Sequence, residues 1–282
     1  MTDIISLLNQ NIFLTIFILA LFGLLFGSFF NVIIHRLPIM LEQQWQDEIA
    51  FHQNQEPIPT KKFNIAWPSS HCPHCKKALK WWHNIPVISY ILLKGKCHHC
   101  QHKISSKYPA VEILTAAVWA GLGFTYGINL TLFASIILAS MLIILMMIDF
   151  ETHLLPDILT INCLWLGLLF NTQSLFCPTQ MAIYGAAAGY LTLWIISAGF
   201  QWLRKKQGMG HGDMKMLAML GAWFGLYQLY FCLLLAVVLG LIFTVTWLVI
   251  KKQSKDTPVP FGPALALAGL AFLFIQPHLL GL

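Results

Sequence analysis

Apolar residues along this chain come in long, nearly uncharged runs and not in the half-apolar periods of a soluble helix or strand. Such runs recur near residues 11–34, 110–128, 131–148, 158–176, 181–203, 214–227, 229–250 and 261–281. A helix crosses a hydrocarbon core of ~30 Å with roughly 20 residues, so the pattern predicts an all-α polytopic membrane protein with about eight transmembrane helices. The sixth run is short, and its boundary with the seventh is set at Tyr227-Gln228. Between the first two runs lies the only soluble stretch of any size. The predicted organisation is a first transmembrane helix over 1–36, a small cytoplasmic domain over 37–109, and a membrane core over 110–282. Within the soluble stretch, Glu42 to Thr60 is polar and proline-bearing and reads as loop.

Composition agrees with that picture. The chain is 57% hydrophobic and 10% charged, against about 25% charged in average proteins. Charge placement tests the span count independently. Every Lys and Arg falls into one of three clusters, Arg36 to Lys107, Arg204 to Lys215 and Lys251 to Lys255. The positive-inside rule puts each on the cytoplasmic side, and eight spans satisfy this with the amino terminus outside. The linkers Gly127–Leu130, Asn171–Gln180 and Tyr227-Gln228, which then lie outside, contain no Lys or Arg. The formal net charge of +6 is therefore a topology signal and not a nucleic-acid footprint, because the cations flank membrane spans. Nothing basic precedes the first apolar run, so it reads as an anchor and not as a removed signal peptide.

The soluble stretch carries Cys72-x-x-Cys75 and Cys97-x-x-Cys100. Two such knuckles offer four thiolates to one tetrahedral Zn²⁺, and a domain this small needs such a staple. A reducing cytoplasm disfavours disulfides. Four sulfurs complete a closed, structural site, so His71, His74, His98 and His99 are read as neighbours of the metal and not as ligands. Between the knuckles, Ile85 to Leu93 is apolar but far too short to span. It either lies against the bilayer or packs under the metal site. Cys163, Cys177 and Cys232 are isolated in or near spans and read as small apolar residues.

Two carboxylates stand out at the edges of apolar runs, where an acid is costly and marks a candidate site. Asp149 ends the third run and opens Asp149-Phe150-Glu151-Thr152-His153-Leu154-Leu155-Pro156-Asp157. Asp213 follows the alternating glycines of Gly208-Met209-Gly210-His211-Gly212-Asp213-Met214-Lys215. Both fall at predicted cytoplasmic span ends, so the fold can bring them to one depth. Like charges at short range cannot both ionise and share a proton; one can then activate a water while the other polarises a peptide carbonyl. Glycine permits close backbone approach, so Gly210 and Gly212 suit an extended peptide beside Asp213. A glycine hinge with Asp213 as a helix cap is the alternative. Asp157 is read as an N-cap, Glu151 and His153 as solvated, and Glu112 as either a helix-end carboxylate or a site residue. The loop is no phosphate cradle, since Lys215 is followed by Met216 and not by Ser or Thr. Asn31, with Gly27 and Ser28, is read as a helix-packing element.

On these residues the chain resembles the type IV prepilin peptidases, membrane aspartic proteases of the Gly-x-Gly-Asp class. The resemblance runs through Phe26 to Pro38, the paired Cys-x-x-Cys knuckles with Lys94-Gly95-Lys96, Tyr108 to Glu112, Asp149 to Asp157, Gly208 to Lys215, and Pro260-Phe261-Gly262-Pro263-Ala264-Leu265-Ala266. It implies cleavage of leader peptides from prepilins and type II secretion pseudopilins after a glycine. It also implies N-methylation of the new amino terminus, usually phenylalanine, from S-adenosylmethionine, in the bacterial inner membrane with the active site facing the cytoplasm. The implied catalytic pair is Asp149 and Asp213, with Gly210, His211, Gly212 and Lys215 in the active-site loop. The implied zinc ligands are Cys72, Cys75, Cys97 and Cys100, and Gly95 is tied to the methyl-transfer function. His211 stands where the family more often has an aromatic residue. Two other classes compete on residues alone: a proton- or cation-coupled transporter working through the two aspartates, and a zinc-stabilised scaffold without catalysis.

Overall fold

The computed structural model describes residues 10–53, 63–205, 209–251 and 260–280. The chain divides into two compact units, Met1–Ile128 and Asn129–Leu282. Among the described residues every regular element is helical; the extended pairings are two isolated bridges, His71 with Ala78 and Lys96 with Lys103.

In the first unit, helix α1 runs over Ile12–His52 and starts where the Asn11 side chain accepts the Leu14 N–H at 3.3 Å. Its 41 residues make about 61 Å at 1.5 Å per residue, roughly twice a hydrocarbon core. The helix continues through Pro38, so Glu42 to His52 is helical where loop was expected; residues 54–60 of that expected loop lie outside the described residues. The Glu- and Gln-rich stretch has good helix formers, and Gln46 donates to Glu42 one turn back at 3.1 Å. A single missing N–H at Pro38 does not outweigh those terms.

After α1 come a 3₁₀ turn (Trp81–Asn84), the short α2 (Ile88–Leu92) and α3 (Lys107–Tyr126). Helix α3 packs antiparallel along α1 because small residues let the backbones meet. A Cβ added to Gly23 would stand 2.7 Å from Ala116 Cα, and one on Gly27 would stand 2.7 Å from Glu112 Cα. In the same register, Asn31 Nδ2 donates to the Tyr108 carbonyl at 3.0 Å, which supplies the partner that a polar group beside lipid requires. Arg36 is buried and donates to the carbonyls of Asn64, Ile65 and Pro68 at 3.0, 3.1 and 2.6 Å. It thereby ties the chain entering the first knuckle to α1.

The second unit consists of α4 (Leu130–Thr152), α5 (Asp157–Asn171), α6 (Thr179–Arg204), α7 (His211–Lys251) and α8 (Gly262–Leu280). Among the described residues, four helices, α1, α4, α6 and α7, are long and apolar enough to cross a membrane, and α5 and α8 are shorter apolar helices. The chain is a multi-pass membrane protein. Two-thirds of the apolar window of α4 is buried (67%), against 22% for α6 and 17% for α7, so α4 is the central helix and the other two present wide apolar faces outward. Helices α6 and α7 cross backbone to backbone, Gly185 on Gly221 and Gly189 on Leu217.

Helix α7 is broken at Gly225, whose φ of 78° and ψ of 173° are not helical. The break falls just before the expected Tyr227-Gln228 boundary, because only glycine takes this backbone conformation without strain. Carbonyls released by the break need donor partners elsewhere. Asn171, fully buried, donates to Ala222 O and Trp223 O at 2.9 Å each while its own Oδ1 accepts from Phe176 N and Cys177 N.

Candidate active site and metal centre

Asp149 occupies the last turn of α4. Beyond it His153 adopts a left-handed conformation (φ 54°) and donates its N–H to the Asp149 carbonyl at 2.9 Å, which ends the helix. Pro156 then sets φ for the start of α5. The Asp149 side chain is 5% exposed. The Gly262 N–H faces it and His153 lies within electrostatic reach, yet no donor meets its Oδ2 with hydrogen-bond geometry. A buried, unsatisfied carboxylate oxygen is rare in a native fold and requires a reason. Gly262, in the proline-flanked turn opening α8, is what lets the backbone come this close: an added Cβ would lie 2.5 Å from Asp149 Oδ2 and 3.0 Å from its Cγ.

Asp213 stands in the first turn of α7, half-buried, with Asp149 within electrostatic reach. Its glycine-rich loop docks on the turn between α4 and α5. A Cβ on Gly212 would meet Leu155 Cβ at 2.8 Å, and the Cβ position of Gly210 is 3.9 Å from Asp213 Oδ2. Lys215 Nζ pairs with Asp157 Oδ2 at 2.6 Å. Asp157 was expected to cap α5, but Pro156 holds the cap position without a side-chain bond; the lysine, delivered by a different helix, claims the carboxylate instead. Thus Asp149, Asp213, Gly210, Gly212 and Lys215 come together. His211 opens α7 as an exposed residue, Glu151 and His153 are exposed, and Gly208 lies outside the described residues. Gly262 and Leu155 were not singled out as site residues, although both lie in stretches that carry the resemblance, Pro260 to Ala266 and Asp149 to Asp157.

In the first unit, the ligand atoms of Cys72, Cys75, Cys97 and Cys100 all lie within 4.8 Å of one another, and Cys72 Sγ and Cys100 Sγ are 3.8 Å apart. Tetrahedral coordination with Zn–S bonds of ~2.3 Å requires sulfurs about 3.8 Å apart, so the cluster fits a thiolate-bound metal. The two knuckles share one backbone plan. Cys72 N–H bonds Lys77 O and Cys97 N–H bonds His102 O, at 3.0 and 2.9 Å, while Lys76 and Gln101, each following a second cysteine, are left-handed with φ 54° and 59°. N–H groups of Cys100 and His99 point at Cys97 and hold its thiol down at about 7, which favours the thiolate a metal needs.

Gly95 lies in the tight turn after α2. With Lys94 it forms two successive left-handed residues, φ 53° and 66°, and the Lys96 N–H closes on Leu93 O at 3.0 Å. Its added Cβ would meet Tyr90 Oη at 3.0 Å. Glu112, buried one turn into α3, caps nothing on its own helix; its Oε2 accepts the Val87 N–H at 2.8 Å.

Two acids from separate helix ends thus stand within electrostatic reach of each other beside a glycine-rich loop, in a membrane bundle with apolar faces outward. Comparison with known proteins gives the class of enzyme. Residues 21–126 match the bacterial peptidase A24 N-terminal domain and residues 136–245 match the type IV leader peptidase family. A prepilin leader peptidase/N-methyltransferase of Dickeya chrysanthemi is 40% identical over 275 residues, 97% of this chain and 97% of that protein. Enzymes of the same name from Pectobacterium carotovorum subsp. carotovorum and Aeromonas hydrophila are 40% and 43% identical, over 89% and 88% of this chain and 90% and 87% of theirs. No solved structure matches the chain. The chain belongs to the type IV leader peptidase family.

Proposed function

We propose that the chain is an aspartic endopeptidase that removes leader peptides from type IV prepilins and type II secretion pseudopilins after a glycine. It then N-methylates the new amino terminus, usually phenylalanine, with S-adenosylmethionine. The observation that carries the proteolytic half is the approach of Asp213 to Asp149 at the ends of two apolar helices. Such a pair shares a proton, so one acid draws a proton from water as the other donates to the scissile carbonyl. A prepilin's apolar helix would lie in the bilayer beside the spans with its basic leader in the cytoplasm, which brings the cut site to the rim where the two acids stand. Gly210 and Gly212 leave room for an extended peptide; Lys215, engaged with Asp157, positions the loop.

With Gly225 taken as the turn between two crossings, the helices make eight passes of the bacterial inner membrane, with the knuckles and the acids on the cytoplasmic side. Cys72, Cys75, Cys97 and Cys100 would hold a structural Zn²⁺, and residues 37–109, with Gly95, serve methyl transfer, while 110–282 is the protease core. The test is mass analysis of a purified prepilin incubated with the enzyme, with and without S-adenosylmethionine. The expected products are a shortened chain and, with the methyl donor, a shortened chain carrying one added methyl group. Asp149→Ala and Asp213→Ala should each abolish cleavage while retaining metal and fold; cleavage by either variant overturns the assignment.

A further inference from the structure

The segment between the two knuckles has two faces. Ser89 Oγ donates to Ile85 O at 2.6 Å, and the Tyr90 ring turns inward to Gly95, its hydroxyl 3.4 Å from Ile104 O. Ile88, Ile91 and Leu92, three and four residues apart and so on one side of α2, are 56%, 66% and 76% exposed. A soluble domain does not leave such a stripe facing water without a partner.

The depth of the stripe identifies the partner. The Val87 N–H, immediately before α2, is held by Glu112, and Glu112 packs on Gly27 of α1. Gly27 lies nine residues before Arg36 in the apolar run of α1, or about 13 Å further along the helix axis at 1.5 Å per residue. Side chains projecting outward near that level meet acyl chains. Charge supports the same occupant: residues 63–111 contain seven lysines and no Asp or Glu, so the domain stays positive even after four thiolates around a divalent metal subtract two charges. Anionic headgroups attract such a surface.

We propose that α2 is a membrane-inserted finger, seated in the anionic leaflet through Ile88, Ile91 and Leu92 and pinned at that depth by the bond from Val87 to Glu112. The knuckle domain is thereby held flush on the bilayer, and this holds whatever reaction the enzyme performs. The test uses the full-length enzyme in liposomes of phosphatidylglycerol and phosphatidylethanolamine. A ketone-bearing amino acid at position 88, 91, 92 or, as an aqueous reference, 101 carries a nitroxide, and power saturation compares oxygen with a water-soluble nickel chelate. The expected result is oxygen access exceeding nickel access severalfold at 88, 91 and 92, with the reverse at 101. Retained metal content shows that each labelled protein is folded. Nickel reaching 92 as freely as 101 overturns the proposal, as does exclusion of both reagents at 92, which would mean that protein covers the finger. In Glu112→Ala the label at 92 should become nickel-accessible while leader cleavage persists; an unchanged depth there removes the pin.

Discussion

Gly262→Ala probes Asp149, the carboxylate we assign to catalysis, without replacing a titratable side chain. The new methyl carbon would stand 2.5 Å from Asp149 Oδ2, whereas an ordinary contact begins at 3.4 Å. The difference, 3.4 minus 2.5, requires a shift of about 0.9 Å in the carboxylate or in the start of α8. The Asp149 side chain is 5% exposed and rooted in the most buried helix, so it has little room to relax without turning away from Asp213. A misplacement near 1 Å costs on the order of 100-fold in rate, or about 2.7 kcal/mol of activation free energy. The assay is steady-state cleavage of a purified prepilin by enzyme in nanodiscs, with thermal unfolding measured on the same preparation. The expected outcome is kcat down about 100-fold, KM nearly unchanged and the unfolding transition retained. Wild-type kcat in a folded Gly262→Ala protein would refute the account of how Asp149 is held.

Three further outcomes follow from the same geometry. Metal analysis should return one zinc per chain, and Cys97→Ser should lose it, with protease sensitivity rising in residues 63–106 while the second unit still cleaves prepilin. Lys215→Met and Asp157→Asn should each reduce cleavage, and the double variant should fall no further, because both break one contact; unfolding should move by no more than about 1 kcal/mol, since the side chains are 30% and 56% exposed and an exposed pair contributes little. Gly95→Ala should remove methylation and spare cleavage, because a side chain there meets Tyr90 and takes a φ of 66° at about 1–2 kcal/mol; methylation at the wild-type level in that variant would show that the turn geometry is not what the glycine supplies.

The hydrophobic pattern of the chain was enough to make it helical and membrane-spanning, because the bilayer requires every backbone group of a span to be satisfied within the helix. Spacing alone likewise announced the four thiols, since each Cys-x-x-Cys is a local turn that needs little from the rest of the fold. Asp149 and Asp213 could be singled out by their cost at the ends of apolar runs, and Gly27, Ser28 and Asn31 as helix-packing residues. Partnerships between distant segments were another matter. That Asp157 engages Lys215 and does not cap α5, that Gly262 rather than any polar residue closes on Asp149, and that Glu112 reaches across to Val87 all depend on which helices become neighbours. The break at Gly225 was also decided in three dimensions, with Asn171 taking up the freed carbonyls, whereas the continuation of α1 through Pro38 rests on the helix formers that follow it along the chain. Local chemistry can be read from neighbours along the chain; contacts between helices are set by the sum of many weak packing terms, and one-dimensional spacing carries almost none of that information.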